Sequence, residues 1–426
     1  MKRLLLSCLL CVVFLLTAFS VGNVYAFPSE TITFYHQDKI FTYHLDKNIK
    51  TSSQFDLNYE INKYNRFGSV EERANLLKHM LSIGLDKNIA VEYLFPNLSN
   101  TISSIEKNIF VKPKDAQISI NPNSEKVFNI TPEVVGIALD KNTLYSNICS
   151  AYLNQKALSF SLPIKTTLPT QTKSELLKHT HLRADFFTDI STSSTDRKHN
   201  IKNALYSLNK IEVAPNEVFS FNNTVGRRTA ENGYRQAKII VNNEFVDGIG
   251  GGVCQVSSTL YNSALLAGLE IVEANKHSKQ VSYVKSGFDA MVNFGSSDLK
   301  FKNNTSEKLT IITNFSSSKA RIRIFGENMN GTDFKVHNNV FNIVEPTEEI
   351  LIDEKLEYID KVKYEDEFFF LKKPSTGMEI KTYRDKIQNG KIVLTELLRH
   401  DKYDVQNAIR VYGTKKREKS TEQFCA

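Results

Sequence analysis

The stretch Asp247-Gly248-Ile249-Gly250-Gly251-Gly252-Val253-Cys254-Gln255-Val256-Ser257-Ser258-Thr259-Leu260-Tyr261-Asn262 constrains this chain more than any other. Four glycines in five positions give a backbone that can take positive φ and let another molecule approach closely. Val256, Leu260 and Ala264 then recur at four-residue spacing, which predicts a helix ending near Gly268. Cys254 falls at the N-terminus of that helix. The unpaired N–H groups and the helix dipole favour an anion there, so the thiol should ionise more readily than usual. The same N–H groups suit an oxyanion during acyl transfer. Two other readings compete. One is a tightly packed glycine turn in which Cys254 fills a small buried gap. The other is a phosphate-cradling loop, but the Lys-Ser/Thr of a P-loop is missing and the glycines do not match the dinucleotide spacing.

A nucleophilic cysteine needs a base, and the base needs an orienter. Nine histidines are available. His179, His181 and His199 lie in a polar stretch before the glycine loop. His277 follows the predicted helix by a few residues, just before the strand-like run Val281-Ser282-Tyr283-Val284. A helix-turn-strand unit would fold His277 back toward Cys254, and Asp289 after Gly287 is placed to hold the imidazole. His277 taken alone reads equally as a surface or turn histidine.

The N-terminus carries an address. Lys2 and Arg3 precede an almost unbroken apolar run from Leu4 to Val21, and Val24-Tyr25-Ala26 offers small residues at a signal-cleavage site. We read residues 1–26 as a signal peptide cut after Ala26; the alternative is an uncleaved anchor, since about 18 apolar residues just span a bilayer. Either way the bulk of the chain is expected outside the cytoplasm. Cys8 and Cys11 leave with the signal, so Cys149, Cys254 and Cys425 remain. Three scattered cysteines make neither a disulfide framework nor a zinc motif. The balance of 54 Lys+Arg against 47 Asp+Glu is too dilute to argue for nucleic acid.

Hydrophobic residues at 41% and charged residues at 24% exclude disordered and multi-span membrane classes. At ~150 residues per domain, two or three domains are expected. Ser69 and Glu72 form a capping-box pair before a predicted helix over 70–83, with Val70, Ala74, Leu77 and Leu81 on one face and Gly84 as its stop. A second helix is predicted over 143–154, capped by Asn142, with Leu144, Ile148 and Tyr152 as its stripe and Cys149 beside it as a core residue. Pro163, Pro169 and the Thr/Ser-rich stretch 165–174 mark a boundary. Leu309–Asn314 and Lys319–Phe325 read as paired strands, with Ala320, Ile322 and Ile324 alternating against Arg321 and Arg323. A strand-turn-strand spans 380–398 and turns at Asn389-Gly390. Strands and helices mix without a βαβ rhythm, so the expected class is α+β, with antiparallel strands.

These residues resemble a known family. Phe219-Ser220-Phe221-Asn222, Val225-Gly226-Arg227-Arg228-Thr229, Asn232-Gly233-Tyr234, the Gly250–Asn262 block and Ala267-Gly268-Leu269-Glu270 are similar to the core of the VanW family. The likeness continues through His277-Ser278, Tyr283, Gly287-Phe288-Asp289-Ala290 and Asp298-Leu299-Lys300-Phe301-Lys302-Asn303-Asn304, about 130 residues in all. Ser257-Ser258-Thr259 stands where the family often has Ser-Thr-Thr. The flanks resemble the family's usual neighbours. Residues 27–170 are similar to a peptidoglycan-binding domain, and 190–330 would be the VanW domain. Residues 350–415 resemble the small β module named for its five glycines, of which Gly377, Gly390 and Gly413 remain. A charged tail, 416–426, follows.

The resemblance implies a peptidoglycan L,D-transpeptidase that forms 3-3 cross-links through a cysteine thioester on tetrapeptide stems, at the cell wall or the outer face of the cytoplasmic membrane. Cys254 matches the family's nucleophile. His277 and Asp289 match its His-Ser and Gly-x-Asp-Ala motifs and stand as candidates for base and orienter. The substrate side would be formed by Arg228, clamping the stem's carboxylate, by backbone N–H groups near Gly252 and Gln255 holding the oxyanion, and by Ser257. No metal or other cofactor is called for. The partner is the peptide stem, with membrane contact only through an uncleaved N-terminal segment. A non-catalytic peptidoglycan-binding cell-wall protein and an L,D-carboxypeptidase are the alternatives.

Overall fold

A computed structural model describes residues 30–45, 68–241 and 244–417. The N-terminal address segment, Cys8, Cys11, Cys425 and nearly all of the charged tail lie outside these residues. The chain is mixed α+β, with its strands in several small, mainly antiparallel sheets. It divides into two compact units. One holds the described residues up to Ala116 together with Glu133–Thr170; the other holds Gln117–Pro132 and everything from Gln171 onward. Among the described residues no helix is long and apolar enough to cross a membrane.

The first unit packs four helices, Val70–Ser82, Lys87–Leu94, Leu98–Ile109 and Lys141–Leu153, beside a three-stranded sheet of Thr31–His36, Lys39–His44 and Ser159–Ser161. Its first helix starts where the capping box places it: Ser69 accepts from the Glu72 N–H and Glu72 accepts from the Ser69 N–H. The buried face runs through Ala74, Leu76, Leu77 and Met80, with Val70 and Leu81 only half-buried. The helix carrying Cys149 begins earlier than predicted. Asp140, not Asn142, is its cap, because the Asp140 carboxylate accepts from both the N–H and the hydroxyl of Thr143. Leu144, Ile148, Cys149 and Tyr152 are buried in the core with Phe34, Leu77 and Phe95.

The second unit is built on a four-stranded antiparallel sheet in the order His181–Asp189, Lys319–Gly326, Leu309–Phe315, Ile211–Val213. Ala320, Ile322 and Ile324 face a core shared with the helices Thr195–Leu208 and Val253–Leu266. Arg323 lies on the other face, as the alternation requires, but it is buried rather than solvated. The segment 117–131 covers that face. Phe128 packs edge-on against Phe325 at 4.9 Å, and Arg323 donates to the Pro122 carbonyl at 2.6 Å and to the Asn314 side chain at 3.0 Å.

The strands that follow the core sheet along the chain form two three-stranded sheets. One orders Thr332–Val344, Gly377–Gln388 and Lys391–Tyr403; the other orders Glu348–Ile352, Ala408–Tyr412 and Phe368–Lys372. The predicted turn closes the long hairpin as expected, with Gln388 opposite Lys391 and positive φ at both Asn389 and Gly390. The predicted strand Val281–Val284 does not form. Residues 274–299 run as a loop held by side chains instead: Asn262 donates to the Phe288 carbonyl, Ser257 to the Ala290 carbonyl, and Thr382 to the Gly287 carbonyl.

Candidate active site

The helix Val253–Leu266 runs through the middle of the second unit. From Val253 to Leu265 every residue except Cys254 is buried, which is the mark of a helix enclosed on all sides. Its polar residues survive burial because each finds a backbone acceptor. Ser258 donates to the Cys254 carbonyl, Thr259 to the Gln255 carbonyl, and Ser263 to the Thr259 and Ile322 carbonyls. The glycine turn before it is a steric necessity. Gly252 caps the helix at φ +107°, and a Cβ there would meet Ile201 Cγ1 at 2.9 Å and Arg197 Cγ at 3.0 Å. A Cβ on Gly250, at φ +87°, would meet Arg228 Cβ at 2.8 Å. Asn200, fully buried, donates to the carbonyls of Arg235 and Gly251 and fixes the turn.

Cys254 is the second residue of the helix and opens onto a cleft of about 1010 Å³. The loop after the helix brings His277 and Asp289 to it. His277 Nδ1 lies 2.7 Å from Asp289 Oδ2, and the His277 backbone N–H donates to the same oxygen at 2.7 Å. His277 lines the cleft with Cys254 and acts on its thiol, which itself donates to the Val292 carbonyl at 3.5 Å. The three side chains expected to act together therefore do meet. Burial pushes the Cys254 thiol up, but the hydrogen bond and charge of His277, a backbone hydrogen bond at Val292 and the charge of Arg228 outweigh it and leave the thiol below its ordinary value. Burial works against a charged imidazole, yet Asp289 and Cys254 raise His277 to about 9. Asp289 stays below the usual carboxylate range despite burial, because His277 and Arg399 face it.

The expected substrate-side residues separate into two groups. Arg228 lines the cleft with both terminal guanidinium nitrogens buried, and among the described residues neither has a hydrogen-bond partner. Its guanidinium lies over the Phe221 ring at 5.5 Å, with the charges of Cys254, Tyr234 and Asp298 near it. Gly252 also lines the cleft. Gln255 touches the cleft, but its side chain is committed elsewhere. It donates to the Asp189 carbonyl at 2.8 Å and to Thr188, and accepts from Arg197 at 3.0 Å. Its backbone N–H donates to the Gly252 carbonyl at 3.0 Å. Ser257 is fully buried and does not reach the cleft. It ties the helix to the loop that carries Asp289, donating to the Ala290 carbonyl at 2.6 Å. His179, His181 and His199 lie away from the cleft lining. Among the described residues no group of three or more His, Cys, Asp or Glu side chains is placed to hold a metal ion.

Residues 196–325 match the VanW-like protein family, and residues 45–158 match the family described as "Putative peptidoglycan binding domain". The chain is 33% identical over 219 residues to the uncharacterized protein YoaR of Bacillus subtilis strain 168, covering 51% of this chain and 70% of that protein. The chain belongs to the VanW-like protein family. It is also 27% identical over 150 residues to the vancomycin B-type resistance protein VanW of Enterococcus faecalis strain V583, covering 34% of this chain and 54% of that protein. Two solved structures align with a fifth of the chain: HP0197-G5, at 26% identity over 19% of this chain and 97% of that one, TM-score 0.11, and the IgA1 protease G5 domain, at 17% identity over 21% and 98%, TM-score 0.14. Scores this low carry no structural argument. The VanW-like and peptidoglycan-binding domains together associate the chain with the cell wall.

Several residues of the VanW-like site escape sequence reading. Arg197, near the start of the helix Thr195–Leu208, lines the cleft and donates to Gln255 and to the Lys238 carbonyl. Its only sequence signal is a polar first turn. Tyr283 lies at 6.5 Å from the His277 ring, and burial together with the neighbouring Cys254 charge keeps its phenol well above the ordinary value. Its family motif was visible, its place beside the imidazole was not. Arg399 and Tyr403 reach Asp289 from a strand more than a hundred residues along the chain, and no local pattern announces them.

Proposed function

We propose that this protein is a cysteine acyltransferase of the cell wall that acts as a peptidoglycan L,D-transpeptidase. One observation carries the reading: the Cys254 thiol sits at a helix N-terminus in an open cleft, beside a histidine that Asp289 holds at 2.7 Å. That is the nucleophile–base–orienter order acyl transfer needs.

In the proposed sequence the Cys254 thiolate attacks the carbonyl between the diamino acid and the terminal D-alanine of a tetrapeptide stem. A C–S bond forms, and the oxyanion is met by the first-turn N–H groups, chiefly that of Cys254, since the Gln255 N–H already has its acceptor. The C–N bond breaks as His277 gives its proton to the departing amine. The side-chain amine of a second stem then attacks the thioester. A C–N bond forms, the C–S bond breaks, and the amine proton returns to His277. Arg228 is the carboxylate anchor, because a buried guanidinium whose terminal nitrogens have no hydrogen-bond acceptor among the described residues is poised for an anionic one. Water in place of the second amine would make the same site an L,D-carboxypeptidase.

A second reading has its own support in the match to a peptidoglycan-binding family over residues 45–158. Under it the protein binds wall polymer without chemistry, and the cleft is a recognition site for peptide stems. Intact-protein mass spectrometry with disaccharide-tetrapeptide separates the two. The expected result is an adduct equal to the stem minus D-alanine, absent from Cys254→Ala, with cross-linked dimers among the products. A folded, reduced protein that forms neither adduct nor product would leave the binding reading in place.

A further inference from the structure

We propose that Arg399 is a positioning residue of this site, aiming the Asp289 carboxylate at His277, so that the C-terminal sheet completes a constellation the VanW-like segment leaves unfinished. The inference rests on Cys254 as nucleophile.

The family match ends at residue 325, whereas Arg399 belongs to the strand Lys391–Tyr403. Its fork spans the Asp289 residue: Nη1 donates to the Asp289 carbonyl at 2.9 Å and Nη2 to Oδ1 at 3.1 Å. Tyr403 adds its hydroxyl to Oδ1 at 3.4 Å. The two carboxylate oxygens are thereby divided. Oδ2 serves His277 through both its ring and its backbone N–H, and Oδ1 serves the strand. A carboxylate held from both ends has one orientation, and the imidazole it holds has one as well.

The strand is shaped for the task. Arg399 pairs with Thr382, Leu397 with Tyr383, and the register shifts between them, leaving Leu398 as an extra residue. Such a bulge re-aims the neighbouring side chain. Leu398 turns into the core that surrounds the site helix, and Arg399 lies over the ring of Tyr261, a residue of that helix, at 5.7 Å. Thr382 donates to the Gly287 carbonyl, two residues before Asp289. The bulge and the carboxylate are thus fastened together. Nε of Arg399 is held by Asp401 at 2.7 Å.

The titratable groups facing Asp289 are His277, Tyr283, Arg399, Tyr403, Tyr261 and Asp401, with Lys276 over the Tyr403 ring at 4.6 Å. Arg399 is the fixed cation among them. Without it a buried carboxylate shifts toward its neutral form and holds the imidazolium less firmly, and the Cys254 thiolate loses its partner.

The test is the pH profile of Cys254 alkylation by iodoacetamide in the full chain, read by peptide mass spectrometry, for the native protein, Arg399→Met and Arg399→Lys, beside their thermal unfolding midpoints. Arg399→Met is expected to move the thiol inflexion upward and to slow alkylation at neutral pH about tenfold for each unit moved. Arg399→Lys should fall between the two. A native inflexion below the ordinary thiol value that stays put in folded Arg399→Met overturns the inference alone. If Arg399→Met does not fold, Arg399→Lys decides: an intermediate inflexion supports the inference and a native one overturns it. An ordinary thiol inflexion in the native chain overturns the nucleophile reading and this inference together.

Discussion

Cys149 and Cys254 sit on helices of 13 and 14 residues, Cys149 inside the core of its unit and Cys254 half-buried against the core of the other, and end in opposite electrostatic states. Burial pushes both thiols up. At Cys149, in the middle of its helix, only the distant charge of Lys87 opposes that push, and the thiol stays above its ordinary value. At Cys254 the opposition comes from the His277 imidazolium beside it, the Val292 peptide and Arg228, and the thiol falls below it. The helix start adds unpaired N–H groups on the same side. The push of burial does not by itself decide a thiol's state. What matters is whether the groups around it compensate the charged form or leave it alone.

The comparison breaks most sharply at Cys254 itself. Cys254→Ala is expected to abolish both the stem adduct and fast alkylation, with the slow labelling of Cys149 unchanged; fast labelling that persists in this variant would move the reactive thiol elsewhere. Removing the compensation alone should make Cys254 resemble Cys149. His277→Gln is expected to slow alkylation at neutral pH by roughly 10- to 100-fold, as one to two units of thiol shift require. The sign of the pH dependence follows from His277. Its proton is held up to about 9, so the thiolate–imidazolium pair exists from the lowered thiol inflexion up to that pH. Acyl-enzyme formation, which needs that proton for the leaving amine, should fall as pH rises through about 9, while alkylation, which needs only the thiolate, should not. A common upper limb for both rates would remove His277 as the acid.

The reverse substitution sharpens the contrast. Cys149→Ser buries a hydroxyl in an apolar core and is expected to cost about 1–3 kcal/mol in urea unfolding, leaving the Cys254 profile untouched. Ser257→Ala gives the smallest effect. It strips the Ala290 carbonyl of a 2.6 Å donor at a cost of about 1 kcal/mol and should leave the thiol inflexion in place. An inflexion that moved with Ser257 would bring that side chain into the chemistry.

Much of this protein was legible where the cause is local. The Ser69/Glu72 box, the Asn389-Gly390 turn and the Cys254 helix start each depend on a few neighbouring residues and appear as read. The misses arise where a nearby competitor or a distant segment decides. Asp140 caps its helix because a carboxylate can take two donors from Thr143 at once. The Val281–Val284 run is not a strand, for the loop around it is pinned by hydroxyls and amides of the site helix and the C-terminal sheet. Arg323 keeps its predicted face, but a segment two hundred residues earlier in the chain covers it.

The sequence by itself determined the α+β class, the family, and a cysteine at a helix N-terminus with a histidine and an aspartate downstream, because periodicity, capping and motif are written in short range. It could name Arg228 but not show that both terminal nitrogens of its guanidinium lie buried with no hydrogen-bond partner among the described residues. It left Gln255 and Ser257 as substrate contacts, whereas the fold commits their side chains to holding the helix in place. Only the tertiary structure set His277 against Cys254 and brought Arg399 and Tyr403 to the far side of Asp289. The reason is physical. Charge compensation acts over a few ångströms of space, and Arg399 supplies it to Asp289 from 110 positions away along the chain.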